Sequence, residues 1–228
     1  MEILEKKLNN PVWNSLNETH KRFSLECDGV KFYAPEYCSF AALTRSENSS
    51  KLIKEIPNLT NSFYVFGEKP SITSGLKFGD NLRCNQMIIE NPIDIETQEH
   101  IVKLKSYQQK ADLKNLVKSV LPTLFKNKSS DIGTFYGIYK MGKLVAVLGE
   151  RMKMNEFTEI SSVVTHPEHI GKGYAKQLLK HLTDQIFNEN KIPYLHVLET
   201  NIGAIKLYEK LGFITRRKFD CWNIIQIN

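Results

Sequence analysis

The stretch EISSVVTHPEHIGKGYAKQLLKHL, residues 159–182, decides the fold expected of this chain. Its β-branched run at 160–165 predicts a strand that ends before Pro167. Gly171 and Gly173 then predict a turn into a helix whose apolar residues recur at the spacing of one buried face: Ala175, Leu178, Leu179, Leu182 and Ile186. A strand, a glycine turn and a helix N-terminus together can hold a phosphate on backbone N–H groups and the helix dipole.

A second stretch, LHVLETNIGAIKLYEKLGF, occupies residues 195–213. A strand is predicted at 194–198, Asn201 is placed to cap a short helix that carries Tyr208, and the helix stops at Leu211-Gly212-Phe213. Together the two stretches resemble the acetyl-CoA-binding core of the GNAT superfamily of N-acetyltransferases. The resemblance implies transfer of an acyl group from coenzyme A to an amine.

The elements predicted before the glycine loop also follow the GNAT order. They are a strand at 101–104, a helix at 108–120, the start of a second helix at 121–125, and strands at 135–139 and 144–152 joined by a turn at 141–143. The resemblance therefore implies an α/β (α+β) GNAT fold, a mixed central sheet flanked by helices, over residues 101–228.

The first hundred residues carry weaker signals. Asn10-Pro11 predicts a helix start, and Asn91-Pro92-Ile93-Asp94 predicts a boundary. Between them we expect short strands at 32–34, 40–43, 63–66 and 87–89, a helical turn at 51–56 and a loop at 71–75. We therefore expect an N-terminal accessory α/β half at 1–95 and a catalytic GNAT domain at 96–228. This layout resembles the GNAT branch with glycine N-acyltransferase-like C-terminal domains, in which a degenerate α/β half packs on the catalytic half.

Composition limits the classes of function. The 228 residues are 41% hydrophobic and 25% charged, as in ordinary globular proteins, and the net charge is +6. The lysines are spread along the chain and are not interleaved with aromatic residues, so we expect solvated faces rather than a nucleic-acid surface. A positive field would also attract the phosphates of coenzyme A. The N-terminus lacks the layout of a signal peptide and no apolar run reaches membrane-spanning length, so we expect a cytoplasmic protein without a membrane partner.

Cysteine and histidine spacing argues against a metal site. The four cysteines form no CxxC pair, so free buried thiols are expected: Cys27, Cys38, Cys84 and Cys221. His166 and His169 have HxxH spacing, but they lie across Pro167 in a loop and no third ligand is evident. We expect no metal.

The phosphate loop of the resembled family follows the pattern Arg/Gln-x-x-Gly-x-Gly/Ala. Here it aligns with Ile170, Gly171, Lys172, Gly173, Tyr174 and Ala175. Glycine lets a phosphate approach the backbone without a Cβ in the way. Ile170 departs from the pattern, and His169 or Lys172 could supply part of the missing polar contact.

The resemblance also assigns roles in the later part of the core. Val163 and Val164 lie where the family strand separates from its neighbour, so that their backbone groups pair with the pantetheine arm. Asn201 combines the cap with a contact to the pantetheine or acyl end. Tyr208 protonates the departing thiolate, a nearly balanced transfer between groups with ordinary pKa values near 10 and 8.5.

Glu159 is the candidate base. It lies four residues before Val163 and so shares one face of the predicted strand. Several GNAT enzymes place a glutamate at this point to accept a proton from the amine, often through a water. The alternative is a solvent-facing glutamate at the start of a strand, like the nearby Glu156.

The resemblance implies a GNAT N-acetyltransferase that uses acetyl-CoA by direct transfer, and we expect a monomer or homodimer. The acceptor would be a primary amine of a small molecule, amino acid or peptide. The alternative is a non-catalytic acyl-CoA-binding regulatory module, in which Glu159 and Tyr208 would be dispensable.

Overall fold

The computed structural model describes residues 6–27, 29–43, 60–72, 75–121 and 125–227. Eleven strands of these residues form one mixed sheet. The strands are β1 (Ser24–Cys27), β2 (Val30–Tyr33), β3 (Phe40–Leu43), β4 (Ser62–Phe66), β5 (Leu76–Ile88), β6 (Ile101–Lys103), β7 (Phe135–Lys140), β8 (Lys143–Lys153), β9 (Phe157–Thr165), β10 (Ile192–Leu198) and β11 (Ile214–Gln226).

The order across the sheet is β1-β2-β3-β4-β11-β5-β10-β9-β8-β7-β6. Neighbours are antiparallel except for the parallel pairs β3–β4 and β10–β9. Strand β5 comes from the N-terminal part of the chain, yet it pairs with both β10 and β11. The segments 1–95 and 96–228 therefore share one sheet, and their division into two functional units stays a prediction.

In the described ranges four α-helices flank the sheet: α1 (Pro11–Asn17), α2 (Tyr107–Val120), α3 (Tyr174–Asn188) and α4 (Ile202–Lys210). On α3, Leu178, Leu179, Leu182 and Ile186 are fully buried, which confirms the predicted apolar face. Helix α2 begins with a capping box between Ser106 and Gln109. In the described part of the chain, no helix has the length and apolar character needed to span a bilayer.

The two faces of the sheet carry separate apolar cores. Leu148 and Leu195 belong to the core under α3 and α4. Val147 and Tyr194, their neighbours in sequence, belong to the cores under α2 and α1. This division follows from the alternation of side chains along a strand.

Most predicted elements are present within one or two residues of their expected positions. The structure adds β1 and shows that the strand expected at 87–89 is the end of the longer β5. The start of β5 reads LKFGDN, a polar sequence with a glycine, which resembles a loop more than a strand. The helical turn expected at 51–56, and part of the segments 71–75 and 121–125, lie outside the described residues. Cys38, Cys84 and Cys221 are free and buried, as expected.

Candidate active site

Strands β9 and β10 separate in the middle of the sheet. Their parallel pairing runs from Ile192 opposite Phe157 to Leu195 opposite Ile160, and it stops there. Beyond that point β10 stays paired with β5, and β9 stays paired with β8. The two strands therefore open like a V beside Val163 and Val164, where the sequence analysis expects a strand to leave its neighbour.

A β-bulge in β9 lies at the same place. Val164 pairs with Val147 and Ser161 pairs with Gly149, so Ser162 and Val163 together oppose the single residue between those two partners. Ser162 has a φ of 53°, in the left-handed region that a serine seldom occupies. Such local strain is found at sites where a backbone group must be re-aimed.

A cavity of about 270 Å³ passes through the opening. From the face under α4 it is lined by Ile160, Val197, Asn201 and Tyr208; from the opposite face it is lined by Tyr37, Cys38, Val117, Phe125 and Phe135. Residues 161–164 form its wall at the bulge, and Glu150, Arg151 and His196 also contact it. The cavity thus connects both faces of the sheet, and the N-terminal segment supplies part of one end.

The glycine loop precedes α3 with an open backbone. Gly171 and Gly173 have φ of 82° and 77°, and Gly173 is the N-cap of α3 without a side-chain capping bond. A Cβ added at Gly171 would meet nothing within 4 Å. The uncapped first turn leaves N–H groups and the helix dipole available to an anion. The loop therefore has the geometry of an anion-binding site.

The side chains around the loop differ in charge and in exposure. Lys172 Nζ lies 3.4 Å from His169 Nδ1. Ile170 is 69% exposed and provides no polar contact, as expected from its departure from the family pattern. Tyr174 is buried, and Lys140 Nζ lies 5.5 Å from the centroid of its ring.

Asn201 and Tyr208 both line the cavity on the α4 side. Asn201 Oδ1 accepts a hydrogen bond from Ala204 N at 3.2 Å, so the predicted helix cap is confirmed. Tyr208 is 7% exposed, and burial raises the pKa of its phenol to about 12. Its hydroxyl therefore keeps its proton over the whole physiological range.

Glu159 has neither of the two predicted environments. Its side chain is fully buried. Arg151 Nε and Nη2 each donate to one of its carboxylate oxygens at 2.7 Å, and His196 Nδ1 contacts Oε1 at 2.7 Å. Burial favours the protonated carboxyl, but the charge and hydrogen bonds of Arg151 outweigh it and lower the pKa of Glu159 to about 2. A carboxylate that is held this tightly is a poor proton acceptor, so the geometry argues against Glu159 as the base, and the role of this residue stays a prediction.

Glu159 belongs to a chain of polar contacts across five neighbouring strands. Arg151 on β8 holds Glu159 on β9, which contacts His196 on β10; Gln86 on β5 lies 3.0 Å from His196 Nε2 and accepts from Arg216 on β11 at 2.9 Å. Since Glu159 is ionised, His196 donates from Nδ1 and accepts at Nε2. Burial lowers the pKa of His196, which favours the neutral form of its ring.

Sequence reasoning missed Arg151, His196 and Gln86. These residues are far apart in the chain, and no short motif joins them. The signal that could have found them is a charged or polar residue within an otherwise apolar predicted strand, as at Arg151 and His196.

His166 and His169, the histidines with HxxH spacing, have different hydrogen-bond partners. His166 Nδ1 accepts from Glu168 N at 3.3 Å, and the rings of His166 and His169 have their centroids 5.9 Å apart. In the described ranges, no three His, Cys, Asp or Glu side chains are grouped to hold a metal ion.

The sequence profile of the acetyltransferase (GNAT) family matches residues 101–213, which include the opening, the glycine loop and Tyr208. This part of the chain is therefore similar to the GNAT family, and the mixed sheet with its flanking helices is the GNAT fold. A solved structure assigned to the GNAT family from Novosphingobium aromaticivorans is similar over 97% of this chain and 99% of its own, with a TM-score of 0.85 and 26% identity.

Two curated relatives are similar over shorter stretches. The uncharacterized N-acetyltransferase YobR of Bacillus subtilis is 33% identical over 81 residues, 35% of this chain and 32% of its own length. A spermidine N(1)-acetyltransferase of Vibrio cholerae is 44% identical over 55 residues, 23% of this chain and 31% of its own length. The chain thus matches about a third of each of these two relatives.

Proposed function

We propose that this protein transfers an acetyl group from acetyl-CoA to a primary amine of a small molecule, amino acid or peptide. The observation that carries the proposal is the cavity through the opening of the sheet, because it brings Tyr208 and Asn201 from one face together with a separate pocket on the other. A thioester from the α4 side and an amine from the α2 side could meet there. Members of the GNAT family use acetyl-CoA, and the named relatives in the comparison include a spermidine acetyltransferase.

The glycine loop would hold the phosphates of the donor. Residues expected to contribute are His169, Gly171, Lys172, Gly173, Tyr174 and Ala175. Support comes from the uncapped N-terminus of α3 and the open approach at Gly171. The backbone of Val163 and Val164 would extend along the pantetheine arm, since β9 has no β10 partner at these positions.

The chemical step would be direct. The amine nitrogen attacks the thioester carbonyl, the carbon–sulfur bond breaks, and the amine loses a proton while the thiolate gains one. Holding both groups in one cavity removes most of the entropic barrier. A backbone N–H near Val163, re-aimed by the bulge, would stabilise the developing oxyanion. Tyr208 is the acid for the thiolate in this proposal, because its hydroxyl holds a proton and its side chain lines the cavity.

Glu159 has a supporting part in the proposal. It orients Arg151 and His196 and does not take the proton itself. One observation supports the non-catalytic alternative. Both carboxylates are already in ion pairs, Glu159 with Arg151 and Glu150 with Lys153.

The N-terminal half also contributes residues to the proposed site. Tyr37 and Cys38 line the cavity from the N-terminal half, and the similar structure from N. aromaticivorans covers both halves. We propose that residues 1–95 are an accessory, GNAT-like half that shapes the acceptor pocket, as in the glycine N-acyltransferase-like branch. A cytoplasmic monomer or homodimer remains our proposal for the state of the protein.

Release of free thiol tests the function. Purified protein with acetyl-CoA and a panel of amines, amino acids and peptides should release coenzyme A in step with an acetylated product seen by mass spectrometry. Binding of acetyl-CoA with no product from the whole panel would favour the regulatory module instead.

A further inference from the structure

Arg151 has one edge held by the protein and one edge available to the cavity. Glu159 accepts one hydrogen bond from Arg151 Nε and one from Arg151 Nη2, each 2.7 Å long. A guanidinium carries five N–H donors. No hydrogen bond joins the remaining three to a side chain or backbone group in the described ranges of the chain, and Arg151 lines the cavity with 19% of its side-chain surface exposed.

The orientation of this guanidinium is fixed before any ligand binds. Its Cζ lies over the ring of Phe40, 4.6 Å from the ring centroid. Glu159 is itself fixed by His196, which contacts Gln86 on the next strand. Preorganised donors lose little entropy when an acceptor arrives, and a bidentate carboxylate matches the geometry of a guanidinium edge.

The charges around Arg151 favour the binding of one anionic group. They provide no free carboxylate for a second cationic group of the acceptor. Glu159 does not line the cavity and is occupied by Arg151. Glu150, which does line it, accepts from Lys153 Nζ at 2.9 Å and from Thr134 N at 2.8 Å. A polyamine would need a free carboxylate for its second ammonium group, and neither of these two is free. The remaining lining is mostly apolar: Val117, Val120, Leu121, Phe125, Ile132 and Phe135.

We propose that the acceptor is an amine that also carries a carboxylate and an apolar body, and that the second edge of Arg151 binds this carboxylate. The inference rests on the proposed function and names the substrate class of the same site. Arg151 is thus a specificity-determining residue, and it does not take part in proton transfer. A cavity of about 270 Å³ suits a small acceptor of this kind.

The test compares acceptors that differ in the carboxylate. L-phenylalanine and 2-phenylethylamine share the amine and the ring, and spermidine represents polyamines. We expect the wild type to prefer phenylalanine in kcat/KM by roughly 10–100-fold, mostly through KM, as for one charge-assisted pair. The double variant Arg151→Gln with Glu159→Gln replaces the ion pair by two neutral amides that can still hydrogen-bond. In this variant the preference should fall to near one while acetyl-CoA affinity is retained.

Arg22→Gln is the matched control, because Arg22 also stacks at 4.6 Å on a phenylalanine ring but is exposed and does not line the cavity. It should keep the preference. A wild type that favours spermidine, or a double variant with the wild-type preference, would overturn the inference. Calorimetric titration of phenylalanine and 2-phenylethylamine onto protein with bound coenzyme A provides a readout without turnover. If no amine is acetylated, the proposed function fails, and the difference in binding still decides whether Arg151 anchors the carboxylate; equal binding of the two would overturn the inference.

Discussion

Arg151 and Glu159 form a bidentate ion pair on neighbouring strands, with both N–O distances 2.7 Å and the glutamate completely buried. The pair lies at the edge of the opening between β9 and β10, where Arg151 also lines the cavity. A buried pair that loses one partner leaves an uncompensated charge, which is more costly than the pair is stabilising. Its contribution can therefore be measured in stability as well as in activity.

Glu159→Gln should destabilise the fold by about 3 kcal/mol, because it leaves the guanidinium of Arg151 buried without a counter-charge. If Glu159 only orients Arg151, the remaining activity should show the wild-type pH profile. Urea unfolding and the pH dependence of kcat/KM check this. A defect that shrinks as the pH rises would show that Glu159 accepts the amine's proton after all.

Acid should remove the contribution of the same pair in the wild type. The pKa of Glu159 is about 2 in the folded state, below its ordinary value of 4.5, so the stabilisation is complete above about pH 4.5 and is lost as the pH falls towards 2. The difference in melting temperature between the wild type and Glu159→Gln should shrink over this window. A constant difference from pH 6 to pH 2 would mean that the carboxylate is not held by Arg151.

A substitution in the glycine loop should weaken acetyl-CoA binding by more than its backbone strain alone would. Gly173→Ala places a Cβ at a φ of 77°, beside the N-terminus of α3. Gly67→Ala also places a Cβ at a positive φ, 100°, but outside the glycine loop. Both should lose about 1 kcal/mol of stability, but Gly173→Ala alone should weaken acetyl-CoA binding, by about tenfold or more. Equal calorimetric affinity for the two variants would argue against the phosphate loop.

Tyr208→Phe removes a hydroxyl and keeps the ring. Turnover should fall by about 10²–10⁴-fold with acetyl-CoA affinity little changed, since acid catalysis has this usual effect. Tyr139→Phe is the control: burial also raises the pKa of Tyr139 to about 12, but this residue donates to Asp112 and does not line the cavity. Similar turnover in the two variants would leave Tyr208 without a catalytic role.

The position of β5 predicts that residues 96–228 do not fold alone. Without β5, both β10 and β11 lose the partner that lies between them. The isolated segment should show no cooperative thermal transition, and adding the segment 1–95 as a separate chain should restore one. A cooperative transition with acetyl-CoA binding in 96–228 alone would mean that β5 is dispensable.

The sequence was most informative where local chemistry determines the structure. The glycines of the loop, the cap at Asn201 and the apolar face of α3 follow from short-range rules, and the structure has them at the expected residues. The long β5 and the ion pair of Glu159 depend on residues that are far apart in the chain. The residues next to Glu159 in the sequence do not predict its ion pair, because only the fold brings Arg151 and His196 to its carboxylate.

We propose direct transfer of an acetyl group through the opening between β9 and β10. The most direct measurement is the single-turnover release of coenzyme A by wild-type protein and Tyr208→Phe, each with acetyl-CoA and the amine panel. We predict release that requires an amine, matches the acetylated product mole for mole, and slows by at least about 10²-fold in the variant. Release that is independent of any amine, or equal in both proteins, would contradict the account.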